Sequence, residues 1–147
     1  MVGQKMLKKI LIVCALIFST SQVNAFDKDK VNLGQSIWGA WVIFNPASAC
    51  SENYQFTAPG EFFYQAQKKQ LAGTFAIMRN MDKKKLDHLL LDIQEDNGGE
   101  SCGGDKANYK GQTSGFYLKW VSPTSAELCL DEDAKNCIGL YFNRKEK

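Results

Sequence analysis

One histidine in 147 residues, His88, is a thin supply for acid–base chemistry. On a strand it points away from its neighbour Asp87, and no serine or cysteine nucleophile can be paired with it, so it reads as an exposed structural residue. The cysteines lack the C-x₂-C spacing of zinc sites. No apolar run is long enough to cross a bilayer: Ile10–Phe18 spans nine residues, against roughly 20 for a transmembrane helix. Excess positive charge is missing too. Of 18 Lys and Arg, three (Lys5, Lys8 and Lys9) fall in the first 25 residues, and the remaining 15 face 16 acidic residues. Nucleic acid and anionic membranes therefore have no electrostatic attraction to offer. Neither an internal repeat nor a convincing 3.6-residue amphipathic stretch longer than two turns is present.

What is there begins with an address. Lys8 and Lys9, the apolar Ile10–Phe18 and the small-residue ending Val23-Asn24-Ala25 form the three parts of a secretory signal, predicting removal of residues 1–25. The alternative, lipid attachment at Cys14, would leave four apolar residues before it and put Val13 where a small residue is wanted. The remaining 122 residues (26–147) make one domain. Cys50, Cys102, Cys129 and Cys137, an even number behind an export signal, predict two disulfides in a periplasmic or secreted protein.

The periodic segments of this domain read as strands. The first is Gly34–Phe44, with Ile37, Gly39, Trp41 and Ile43 on one face and Trp38, Ala40, Val42 and Phe44 on the other. Before it, Asp27–Val31 reads as a flexible arm. Further strands are expected over 54–57, 62–67, 71–79, 86–94, 112–121, 126–130 and 138–144. Turn formers separate them at 45–53, 58–61, 68–70, 80–85 and 122–125, a glycine-rich irregular piece at 95–111, and an acidic loop at 131–136. The segment 86–94 has a composition open to a short helix, but its flanks and length favour a strand. Lys83-Lys84-Lys85 reads as a solvated turn and edge protection. The carboxylates of Asp92, Glu95, Asp96, Glu100 and Asp105 match no calcium-loop spacing and read as solvated.

Eight strands with short connections predict an all-β, antiparallel up-and-down barrel that pairs its eighth strand with its first. Connections alternate between the two ends. Cys50 lies in the first and Cys102 in the fifth, both at one end, and Cys129 and Cys137 flank the seventh, also there. The least-distorted pairing is Cys50–Cys102 with Cys129–Cys137. In the chain-entropy account these contribute about 4 and about 2.5 kcal/mol.

Gly39-Ala40-Trp41 on the first strand, a β-meander, and Arg144 at the end of the last resemble the lipocalin-like (calycin) barrels. Those barrels carry G-x-W on strand one and a late arginine packed over the tryptophan. The resemblance implies structural roles for Gly39, Trp41 and Arg144, with a cation over an indole contributing about 0.5–2 kcal/mol. It also implies a small apolar ligand. The chain is short for a lipocalin and lacks the long helix before the last strand. A second stretch, Ser114-Gly115-Phe116-Tyr117, is similar to the Ser-Gly-x-x-Tyr segment of periplasmic inhibitors of C-type lysozyme, with one spacer fewer. This likeness implies enzyme contacts through Ser114, Tyr117 and Lys119.

Two functional expectations result. The first is an exported, non-enzymatic binding protein without cofactor or metal, holding a small apolar ligand or a protein partner at the cysteine-bearing mouth. Phe56, Phe63, Phe75, Leu91 and Phe116 are the candidate ligand contacts, lining the interior with Trp41. Whether that interior is a cavity or a packed core stays open. The second is a protein inhibitor acting through the Ser114–Lys119 strand.

Overall fold

Alternation of inward apolar and outward polar side chains divides the chain as the pattern requires; β3 (Glu61–Ala66) reads exposed, buried, exposed, buried along its length. The computed structural model describes residues 25–146. The predicted leader lies, apart from Ala25, outside the described residues. The other strands are β1 (Gly39–Asn45), β2 (Cys50–Thr57), β4 (Lys69–Met78), β5 (Asp87–Asp96), β6 (Thr113–Ser122), β7 (Ser125–Cys129) and β8 (Cys137–Arg144). Each pairs antiparallel with the next, and β8 closes on β1 through Trp41 opposite Arg144, Val42 opposite Asn143 and Ile43 opposite Phe142. The result is an eight-stranded up-and-down barrel, compatible with a lipocalin-like fold.

Segment 86–94 is strand and not helix, as part of β5. Both disulfides form as the topology predicts, Cys50–Cys102 and Cys129–Cys137. Cys50–Cys102 ties the start of β2 to the connection between β5 and β6, whereas the loop closed by Cys129–Cys137 is held through Glu132 to Asn80, Lys85 and Leu86 of the β4–β5 connection. Among the described residues no helix is long and apolar enough to cross a membrane.

Four expectations need correction. The first strand does not begin at Gly34. Leu33–Ser36 forms a single helical turn, α1, and β1 starts at Gly39. Gly39 has φ +107°, a backbone state that breaks the extended run ahead of it. Second, Asp27–Val31 is no free arm: it holds a 3₁₀ turn, Lys28–Lys30, and both Lys28 and Val31 are buried. Third, Lys69 is not a turn residue. It opens β4 facing inward, in phase with Leu71 and Gly73. Fourth, Phe63 is 42% exposed on the outer wall. In the adjacent pair Phe62-Phe63 only one ring can face in, and Phe62, opposite Phe56 on β2, takes that place.

The end away from Cys50–Cys102 is sealed. Trp41 stacks on Phe142 at 4.6 Å and meets Trp120 edge-on at 6.2 Å, and Phe56 packs against Phe142 and Phe75. Beneath them the N-terminal segment is pinned by polar contacts. Lys28 Nζ donates to the backbone carbonyls of Asn80, Asp82 and Lys85 at 2.7, 3.0 and 2.7 Å. It also lies 3.5 Å from the fully buried Asp87. Asp87 accepts from Arg79, the Asn80 amide and the Trp120 indole, so its charge is compensated on every side.

Candidate binding site at the barrel mouth

With one end filled by rings, the space inside the barrel is left at the other. A cavity of about 380 Å³ opens there beneath the β5–β6 connection. Its walls follow from the inward alternation of five strands: Tyr54 from β2, Phe62 from β3, Leu71 from β4, Leu91 and Ile93 from β5, Phe116 from β6. Glu52, Tyr64, Lys69 and Ser114 supply polar groups, and Ser101 and Tyr109 reach in from the connection above. A mostly apolar hollow with a few polar groups is the ordinary build of a small-molecule site, and this volume falls in the usual range of about 300–1,000 Å³.

The two charged side chains of the wall are held differently. Lys69 is 1% exposed, and its ammonium donates to both Asp96 oxygens, at 2.9 and 3.1 Å, and to the Ala107 carbonyl at 2.7 Å. Its three donors are thereby used, and the Tyr109 ring lies 5.2 Å from it. Burial alone would raise the Asp96 carboxyl. The backbone amides of Tyr109 and Gly98, with Lys69, outweigh that and hold it below its ordinary value. This pair ties the β5–β6 connection onto the rim. Gly99 makes the close approach possible, since a Cβ there would meet the Lys68 carbonyl oxygen at 2.0 Å. Glu52, by contrast, accepts one hydrogen bond, from the Tyr64 hydroxyl at 2.7 Å, and joins no ion pair among the described residues. Burial, then the neighbouring Glu52 charge, raise the Tyr54 phenol. Burial and the hydrogen bond to Glu52 do the same for Tyr64.

The residues expected to touch a ligand are only partly brought together. Leu91 and Phe116 line the cavity. Phe56 belongs to the packed half, Phe75 stands edge-on to Trp38 at 5.7 Å near the sealed end, and Phe63 faces out. The interior is thus packed core at one end and cavity at the other. Ser114, Tyr117 and Lys119 do not form one surface with a common aim. Ser114 lines the mouth, whereas Tyr117 and Lys119 lie on the outer wall. There Tyr117 stacks on His88 at 4.2 Å and Lys119 Nζ lies 3.8 Å from Glu127. That stack leaves His88 half-buried, where the sequence predicted exposure. Asp96 was expected in solvent and is instead buried beneath Lys69.

Glu52, Tyr64, Lys69 and Tyr109 were missed. For two of them a signal exists: Glu52 is in phase with Cys50, Tyr54 and Phe56, and Lys69 with Leu71 and Gly73, so extending each strand backward places them inside. The G-x-W group is assembled at the far end. Arg144 lies 6.0 Å from the Trp41 ring and donates to the Ser36 carbonyl at 2.7 Å, and Trp41 Nε1 donates to Ile37 at 2.8 Å. A Cβ on Gly39 would come within 3.4 Å of the guanidinium.

No protein-family model, curated protein or solved structure matches the chain.

A larger hollow, about 800 Å³, lies between the N-terminal segment and lysines 83–85. It borders Ala25, where the described chain begins, and two of its lysines are committed, Lys28 to three carbonyls and Lys85 to Glu132. Glu127, Cys129 and Cys137 converge within 4.8 Å, but the two sulfurs are bonded to each other.

Proposed function

We propose that this chain is an exported, non-enzymatic binding protein of lipocalin-like build that takes one small, mainly apolar molecule into the cysteine-bearing mouth. The observation that carries the reading is the division of the interior: rings fill the Trp41 end, and an apolar cavity of about 380 Å³ opens at the other. The G-x-W and arginine group in register across β1 and β8 supports the lipocalin-like assignment. Two disulfides support a periplasmic or secreted location. The lysozyme-inhibitor alternative draws less from the geometry, because Ser114 and Tyr117 face opposite sides of the wall.

Titration with the neutral fluorescent probe N-phenyl-1-naphthylamine tests the reading. Saturable one-to-one binding is expected, lost when Leu91→Trp fills the cavity and unchanged when Phe63→Ala alters the outer wall. Binding that never saturates, or that ignores Leu91→Trp, would remove the cavity as the site.

A further inference from the structure

Resting on that reading, we infer that the molecule held in the mouth is an organic amine, its apolar body in the aromatic throat and its cationic nitrogen on Glu52. The inference follows from which charges around the cavity remain unspent. Lys69 is the one cation in the wall, and all three of its donors are engaged by Asp96 and Ala107. An incoming anion would find no free donor on it and would lie against the Asp96 carboxylate. Glu52 keeps its second oxygen available, since Tyr64 donates only to Oε1.

The surroundings have the same preference. Tyr54, Phe62, Tyr64, Tyr109 and Phe116 present aromatic rings to the cavity, and aromatic faces attract a desolvated cation. The connection over the mouth, 97–112, is balanced, Glu100 and Asp105 against Lys106 and Lys110, with Glu100 paired to Lys106, so it adds no net positive charge that would draw an anion to Glu52's side of the cavity. Burial and the Glu52 charge both keep the two throat phenols protonated, so neither adds a competing negative charge. The site thus pairs one underused carboxylate with an aromatic throat. A nitrogen cation satisfies both, and a carboxylic acid neither.

Three probes with the same phenylethyl body separate charge from shape: phenethylamine, 2-phenylethanol and phenylacetate, each measured by displacement of N-phenyl-1-naphthylamine at pH 7. Phenethylamine is expected to displace at a concentration about tenfold below 2-phenylethanol, the scale of one charge-assisted contact. Phenylacetate is expected to be the weakest. In Glu52→Gln, which keeps an acceptor for Tyr64, the three should converge to within about twofold. Phenylacetate equal to or better than phenethylamine overturns the inference, as does an amine preference that survives Glu52→Gln. Should that variant disturb neutral binding, Tyr64→Phe decides: it retains the carboxylate, so the amine preference must persist, and its loss refutes the assignment. Displacement by all three without a charge preference defeats only this inference. Displacement by none defeats the binding reading beneath it.

Discussion

Lys69 and Asp96 are 1% and 0% exposed and bonded at 2.9 Å, yet both come from positions that the sequence assigns to water: a lysine-rich turn and an acidic loop. Removing one member of such a pair strands a buried charge, at about 3–5 kcal/mol. Lys69→Ala should lose that much in urea unfolding, and Lys69→Met with Asp96→Leu should lose less than Lys69→Ala alone. The pH dependence has a fixed sign. Burial raises the Asp96 carboxyl, but the Tyr109 and Gly98 amides and Lys69 bring it below the ordinary 3.8. Its contribution is therefore complete above 3.8 and disappears as the pH falls through the lower folded value. Amide resonances of Tyr109 and Gly98 should follow that acid limb, and Asp96→Asn should abolish it. His88 acts in a milder range. Burial against Tyr117 lowers its imidazole from 6.5, so the folded state binds its proton less readily than the unfolded chain. Stability then declines as the pH drops below 6.5, and His88→Gln should flatten the slope just below that pH.

At the level of elements, legibility tracks how local the cause is. All eight strands announce themselves through alternation and turn residues, and Cys50–Cys102 with Cys129–Cys137 follows once the connections are assigned to ends. The N-terminal segment could not be read this way. Asp27-Lys28-Asp29-Lys30 looks solvated, because what buries Lys28 is a set of carbonyls 52 to 57 residues away together with Asp87. Gly34–Ser36 reads as strand because the alternation of β1 continues formally back through it, while the positive φ of Gly39, at which β1 begins, leaves no periodic trace. The mouth was half legible: Leu91 and Phe116 came from strand phase, but Tyr109 and Ser101 depend on how an irregular connection folds back. Lys28→Met should cost about 1–3 kcal/mol, the penalty of orphaned carbonyls with Asp87 still held by Arg79, Asn80 and Trp120. Chemical denaturation would show it, and affinity for N-phenyl-1-naphthylamine at the opposite end should not change.

Taken whole, the barrel is a gradient from a packed base to an open mouth, and this has a measurable dynamic consequence. Amides protected by the densest side-chain packing exchange through global unfolding, whereas those over a cavity need only local opening. The base is packed where β1 meets β8, over a short seam of three pairs, with Trp41 opposite Arg144 and Ile43 opposite Phe142, both rings and the isoleucine nearly inaccessible. The rim is held by fewer ties: the Cys50–Cys102 bridge, the Lys69–Asp96 pair and the Asn97 contacts to Lys68 and Gln70. Hydrogen exchange should therefore be slowest at Trp41–Ile43 and Leu140–Phe142 and faster over 97–112. Replacing Cys50 and Cys102 together by serine should remove up to about 4 kcal/mol in the chain-entropy account. The same change should raise exchange over 97–112 beyond what that global loss explains. A ligand seated in the mouth should reverse the gradient locally, slowing 97–112 while leaving the ranking within the base intact. A ligand that instead protected the β1–β8 seam and left 97–112 unchanged would place binding at the opposite end, against the packing that fills it.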